Sequence, residues 1–339
     1  MSSLTTRYLS LELKNPIIAS ASPLTATLDG MRRLEDAGAA AVVMASLFEE
    51  RIVAGDAAYA MFTEETAGSN PEAATYFPEL PGYRHGLSGY LETLWRASQT
   101  LQIPVIASLN CLSDEGWLEY AIELEQAGAA ALELNLYHLP TDLAVSGRDV
   151  EQHYLDIIRR IRAKVSVPLA VKLLPLFTAL GNFVQQLQSS GVDGVVLFNR
   201  YIRPDFDLDT LSLKIEAQLS GTSDIYLPIA WTALLSRRVT LSLAAGTGVD
   251  TYVEVVKLLL AGADVVTTAS SLLRHGPRHM TTLVEGVERW LSESTFASVD
   301  EVRGRLDVTH VGQAEMFFRG EYLHTLADYP AKHPAVLAY

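Results

Sequence analysis

The stretch LEDAGAAAVVM, Leu34–Met44, reads as the end of a helix, a glycine, and then an unbroken apolar run. The phrase returns as LEQAGAAALEL (Leu124–Leu134), LQSSGVDGVVLF (Leu187–Phe198) and LLLAGADVVTT (Leu258–Thr268). In each copy a glycine (Gly38, Gly128, Gly191 or Gly262) stands where a helix has to close. Glycine takes the left-handed conformation that closes a helix without Cβ strain. An apolar run with no polar alternation is what a strand covered on both faces looks like. Helix, glycine turn and buried strand in repetition is the pattern of a parallel α/β protein.

Working outward, the strands are expected at Pro16–Ser20, Ala40–Met44, Val105–Leu109, Ala130–Leu134, Leu169–Leu173, Gly194–Phe198, Val239–Ala245 and Val265–Thr268. Helical patterns lie between them at Thr27–Ala37, Tyr90–Thr100, Trp117–Ala127, Val150–Val165, Asn182–Ser190 and Tyr252–Ala261. Ser113, followed by Asp114, Glu115 and Gly116, has the form of a helix N-cap. Eight strand–helix units fit a closed (β/α)8 TIM barrel better than a doubly wound sheet. The length, 339 residues, suits one barrel domain over residues 1–339.

Two segments break the rhythm, and a tail follows. The insertion at about 48–88, after strand two, carries Gly68, Pro71, Pro78, Pro81, Gly82 and Gly86, and reads equally well as a lid or an oligomer contact. The stretch Phe206–Ile229, after strand six, is expected to hold an amphipathic helix. The C-terminal extension, about 299–339, reads as helix and then a polar end, with packing as its task.

Hydrophobic residues make up 49% of the chain, enough for a large core. A net charge of −14 disfavours nucleic acid, whose phosphates such a surface repels. The single Cys111 excludes an intrachain disulfide and any cysteine-rich cluster. No run is long and apolar enough to span a bilayer, and the start, MSSLTTRYLSLELKNP, lacks a signal-peptide core. The expectation is a cytoplasmic protein that binds neither membrane nor nucleic acid, without a metal site.

Barrels place their chemistry at the C-terminal ends of the strands. The polar residues that follow the apolar runs are Ser20, Ser22, Ser46, Asn110, Asn135, Lys172, Asn199, Ser270 and Ser271. Lys172, in LAVKLLP, lies inside a buried strand, and a buried ammonium is costly unless it meets an anion, a carbonyl or an electron-rich ring. Either a cofactor or an ion pair with a neighbouring strand, Glu133 for instance, answers that need. AAGTGV (Ala244–Val249) and TASSLL (Thr268–Leu273) end strands seven and eight, where barrels place a phosphate against small residues and backbone N–H groups.

In chain order, LELKNPIIASAS, SLNCLS, ALELNLYHLPTD, LAVKLLP, VVLFNR, SLAAGTGV and ADVVTTASSLLRHGP resemble the dihydroorotate dehydrogenase family, over about Leu9 to Pro277. The chain looks closest to divergent members of the soluble class 1 branch. The resemblance implies an FMN-binding barrel that oxidises dihydroorotate to orotate in pyrimidine biosynthesis, or acts on a related CH–CH substrate. It implies that Ser20, Ala21, Asn110, Asn135 and Asn199 line flavin or substrate, and that Lys172 contacts the flavin ring. It assigns Gly246, Thr247 and Gly248, with Ala269 and Ser270, to the phosphate turns, although relatives usually carry Gly–Gly where this chain has Gly-Thr-Gly. Implied partners are a small-molecule substrate, a soluble electron acceptor or redox partner protein, and a second copy in a homodimer.

Several family residues are replaced. The soluble branch uses a catalytic Cys in LNLSCPN, where this chain reads LNLYHLP, so His138 stands in its place and Pro140 replaces the asparagine two residues on. His138 is a chemically reasonable base. The family lysine after strand two is absent from VVMASLFEER, and the region RHGLSGYLE has no substrate asparagine, though Arg84 and His85 offer anion contacts. Two other readings stay open: a flavin-binding barrel without dehydrogenase activity, and a flavin-free phosphate-binding enzyme in which Lys172 forms a Schiff base.

Overall fold

The computed structural model describes residues 3–52, 86–111, 113–200, 204–215 and 218–311, with short pieces within 319–328. The chain enters as an antiparallel hairpin, β1 (Thr6–Tyr8) and β2 (Leu11–Leu13). Next come β3 (Ile17–Ala19), β4 (Ala41–Val43), β5 (Leu47–Phe48), β6 (Val105–Asn110), β7 (Ala131–Leu136), β8 (Leu169–Leu173) and β9 (Gly194–Leu197). A second hairpin, β10 (Pro204–Asp207) and β11 (Ser212–Ile215), precedes β12 (Ser242–Gly246) and β13 (Val265–Thr268). The eight barrel strands pair in parallel in the order β4, β3, β13, β12, β9, β8, β7, β6, and β4 pairs with β6 to close the ring. This is the TIM barrel that the repeated phrase implies, with all eight strands where the apolar runs lie.

The helices are α1 (Leu28–Asp36), α2 (Gly86–Thr100), α3 (Asp114–Gln126), α4 (Gly147–Arg162), α5 (Leu180–Ser189), α6 (Tyr226–Leu235), α7 (Tyr252–Ala261), α8 (Ser270–His275) and α9 (His279–Glu293). Their starts are chemically marked. Ser113 accepts the Gly116 N–H at the head of α3, Thr27 accepts the Gly30 N–H at α1, and Ser146 with Asp149 forms a capping box at α4. Their ends carry the glycines: φ is +102° at Gly38, +95° at Gly128, +89° at Gly191 and +117° at Gly262. The chain continues in α10 (Val299–Val302) and a 3-10 turn at Val308–Val311. That extension packs on α7, where the Gly304 and Leu306 N–H groups donate to Leu259 and Leu260 carbonyls.

Two cores follow from the period-two alternation of the strands. One face of each strand packs outward on the helices, through residues such as Val105, Ala107, Leu132, Leu134, Val171 and Val195. The other face fills the barrel with Ile18, Ala41, Ile106, Ala131, Ala170, Val196, Ala244 and Val265. The β1–β2 hairpin plugs this interior with Tyr8, Leu9 and Leu13. Its Leu9 comes so close to β9 that a Cβ on Gly194 would lie 2.6 Å from the Leu9 Cδ2.

The segment after β9 departs from the expected amphipathic helix. Its first part is the β10–β11 hairpin, whose residues Asp205, Phe206, Asp207 and Leu208 alternate with the period of a strand, not of a helix. Asp207 sets the turn by accepting the N–H groups of Asp209 and Thr210. The insertion after strand two falls almost wholly on residues 53–85, and Arg84 and His85 with it, outside the described residues.

Candidate functional site

Following the interior face toward the C-terminal ends, the side chains turn from apolar to polar. On β6 the inward series is Ile106, Ser108 and Asn110; on β7 it is Ala131, Glu133 and Asn135; on β8 it is Ala170 and Lys172. Register places Ser108 opposite Glu133 and Asn135 opposite Lys172. Parallel in-register neighbours share a face, so a polar layer forms above the apolar plug. Ser108, Asn110, Glu133, Asn135 and Lys172 are all buried, as is Ser20 at the end of β3.

Lys172 is the centre of this layer. Its Nζ lies 3.3 Å from Oε1 of Glu133 and donates to the Ser20 Oγ at 3.2 Å. The ion pair that stood as the alternative to a cofactor contact is therefore formed, and the same ammonium also joins strands one, four and five. Above it, the Asn199 Nδ2 donates to the Asn135 Oδ1 at 2.8 Å, which ties the end of β9 to β7. Asn199 is positioned in turn by its N–H, which donates to the Leu173 carbonyl at 2.8 Å. Ser108 and Ser46 share a hydroxyl hydrogen bond of 2.8 Å.

The negative charge of Glu133 is felt by its neighbours. Burial raises the Tyr8 hydroxyl well above its ordinary range, and Glu133 and Asp264 raise it further. Burial likewise raises Tyr90, whose OH donates to the Ser108 carbonyl, and Glu133 adds to the rise. Cys111, after strand three, is pushed up by burial and by Glu49 and Glu50, so it is a thiol and not a nucleophile.

The two phosphate-type turns come together as expected, with an unexpected residue between them. Thr247 and Gly248 both have left-handed backbones, φ +76° and +82°. The Gly248 N–H donates to the Ser220 Oγ at 3.1 Å, and the Ser220 Oγ donates to the Ser270 Oγ at 2.9 Å. Thr247 donates its hydroxyl to the Phe198 carbonyl at 2.9 Å, and Arg274 donates to the Ser220 carbonyl at 3.0 Å. A Cβ on Gly246 would sit 2.4 Å from the Thr267 Oγ1, so this turn admits only glycine. One oxygen thus bridges the strand-seven and strand-eight turns, and a phosphate oxygen in its place would accept from the Gly248 N–H and from the Ser270 hydroxyl.

Of the other residues singled out in the sequence, Ala21 is half-buried against the interior cluster, and Ala269 and Ser270 are half-buried at the start of α8. His138 is exposed, two residues past β7, and makes no hydrogen bond to the Lys172 cluster among the described residues. A cavity of about 350 Å3 opens instead beside β4 and is lined by Thr27, Ser46, Arg51, Tyr90 and Thr93. Lys172, Glu133, Asn135 and Asn199 do not line it. The sequence reading missed Ser220 and Arg200. Ser220 lies in a polar stretch with no local signal, and Arg200 is visible only as the residue after Asn199 in VVLFNR.

No family model matches the chain. It is similar to the dihydroorotate dehydrogenase B (NAD(+)) catalytic subunit of Methanothermobacter thermautotrophicus, 26% identical over 311 residues, which are 89% of this chain and 97% of that protein. The like-named protein of Endomicrobium trichonymphae is 26% identical over 226 residues, 66% of this chain and 73% of that one. The chloroplastic dihydropyrimidine dehydrogenase (NADP(+)) of Arabidopsis thaliana is 24% identical over 324 residues, 87% of this chain and 74% of that one.

Proposed function

We propose that this chain, a divergent protein of the dihydroorotate dehydrogenase type, is an FMN-dependent oxidoreductase acting on a CH–CH bond of dihydroorotate or a related ring. The observation that carries this reading is Lys172, a buried ammonium held by Ser20 and Glu133 beneath the Asn135–Asn199 pair. A buried cation with a pair of amide side chains beside it is suited to hold negative charge on a flat heteroaromatic ring. FMN held by these residues would supply the hydride acceptor.

The chain's own residues have the following parts. Asn110, Asn135 and Asn199 orient the flavin or substrate through their amides, and Ser20 and Ala21 line the strand-one side. Gly246, Thr247, Gly248, Ala269 and Ser270 hold the phosphate, with the Ser220 hydroxyl yielding its bridging place. His138 takes the proton from the substrate carbon next to the one that loses hydride, which requires its loop to bring the ring over the barrel mouth. Electrons leave to a soluble acceptor or a redox partner protein, and a homodimer is the assembly we propose.

The Schiff-base alternative has less support. It starts from an unprotonated amine, whereas Glu133, 3.3 Å away, pairs with the ammonium form of Lys172. The test is the visible spectrum of the purified protein, followed by anaerobic addition of dihydroorotate. Yellow protein that bleaches supports the reading in full. Yellow protein that stays oxidised keeps the cofactor and removes dihydroorotate as substrate. Protein that remains colourless after added FMN overturns the flavin assignment.

A further inference from the structure

Lys172 is paired with Glu133, whereas a second cation at the barrel mouth has no carboxylate partner among the described residues. Arg200 follows Asn199 beyond β9, half-buried, with its own N–H donating to the Asn199 Oδ1 at 2.8 Å. Its Nη1 is buried and has no hydrogen-bond partner. Among the described residues no carboxylate pairs with its guanidinium, whereas Arg274, after strand eight, is paired with Asp250. A buried, unpaired donor on a charged group is costly, and native structures keep one where something else satisfies it. A planar fork of N–H donors matches a carboxylate or a phosphate.

We propose that Arg200 is the anion-binding residue of the mouth, taking a carboxylate or phosphate oxyanion of a molecule bound there. Two sources share this chemistry: a ring substrate bearing a carboxylate, and the phosphate of a flavin nucleotide. The proposal deepens the oxidoreductase reading and rests on it for the choice of ligands. It makes Arg200 the residue that separates a carboxylate-bearing pyrimidine from the same ring without the carboxylate.

The test is calorimetric titration of the full chain and of Arg200→Gln with orotate, uracil, FMN and riboflavin. The expected result is orotate binding weakened by roughly tenfold to a hundredfold in Arg200→Gln with uracil unchanged. Arg200→Lys, which keeps the charge and loses the fork, should fall between. If FMN weakens while riboflavin does not, the proposal stands with phosphate as the anion. Equal affinities of the two proteins for all four ligands overturn it. So does an unmutated protein that binds orotate no tighter than uracil and FMN no tighter than riboflavin, a measurement that needs no variant to fold. Colourless protein with Arg200-dependent orotate binding would sink the flavin reading and keep this one.

Discussion

The ammonium of Lys172 on β8 and the carboxylate of Glu133 on β7 meet at 3.3 Å inside the barrel, where their side chains are 10% and 3% exposed. Removing one partner of such a pair leaves the other charge buried alone. Lys172→Met is therefore expected to lose about 3–5 kcal/mol of stability, and Lys172→Met with Glu133→Gln to regain much of it. Urea unfolding of the three proteins measures this. A Lys172→Met protein as stable as the parent would mean that the pair has no structural role.

His138→Ala should slow anaerobic flavin reduction by roughly a hundredfold or more if His138 is the base, and leave the folded spectrum as it was. An unchanged reductive rate removes His138 from the mechanism.

The glycine turns are graded by their surroundings. Gly38 and Gly262 both have left-handed backbones, but a Cβ on Gly38 meets nothing closer than 3.8 Å, whereas on Gly262 it would lie 2.2 Å from the Ser236 Oγ. Gly38→Ala should cost about 1–2 kcal/mol from backbone strain alone, and Gly262→Ala clearly more. Equal losses of thermal stability would contradict the packing argument.

Burial of Tyr154 pushes its hydroxyl from 10.0 up to about 12. Below pH 10 both folded and unfolded chains keep this proton. Between pH 10 and 12 the unfolded chain gives it up first, so stability falls as the pH rises through that window. Tyr8 and Tyr90 are shifted in the same direction and add to the fall. Tyr154→Phe should flatten the alkaline limb in denaturant titrations. An unaltered limb would show that Tyr154 ionises alike in both states.

Cys111 should resist alkylation in the folded protein and react on unfolding, because burial and the carboxylates of Glu49 and Glu50 all oppose its thiolate. Cys111→Ser should retain whatever flavin reduction the parent shows. Rapid native labelling would contradict the burial argument.

The barrel was legible in the chain because its signals are local. A glycine at a helix end and an apolar run behind it report on residues a few positions apart, and all four marked glycines, Gly38, Gly128, Gly191 and Gly262, have the left-handed backbone that reading requires. Lys172 stood out for a similar reason, since a charge inside an apolar strand is a local contradiction. The stretch Phe206–Ile229 was expected to hold a helix, and one begins there at Tyr226, but the β10–β11 hairpin ahead of it went unseen although its alternation was present, because a helix normally comes between barrel strands.

Which side chains meet was another matter. Asn135 and Asn199 are 64 positions apart, Lys172 and Ser20 152 apart, and only the closed ring of strands brings them within hydrogen-bond distance. Glu133 was a candidate partner of Lys172, but the choice between pairing and cofactor contact depended on register, which puts Asn135 opposite Lys172 and leaves Glu133 one inward step below. Ser220 and Arg200 carry no local pattern at all. Their significance is a donor between two turns in one case and an unanswered charge in the other, and both arise only when separate strands share one mouth. Periodicity belongs to neighbouring residues along the chain, whereas charge balance and hydrogen-bond satisfaction belong to neighbours in space.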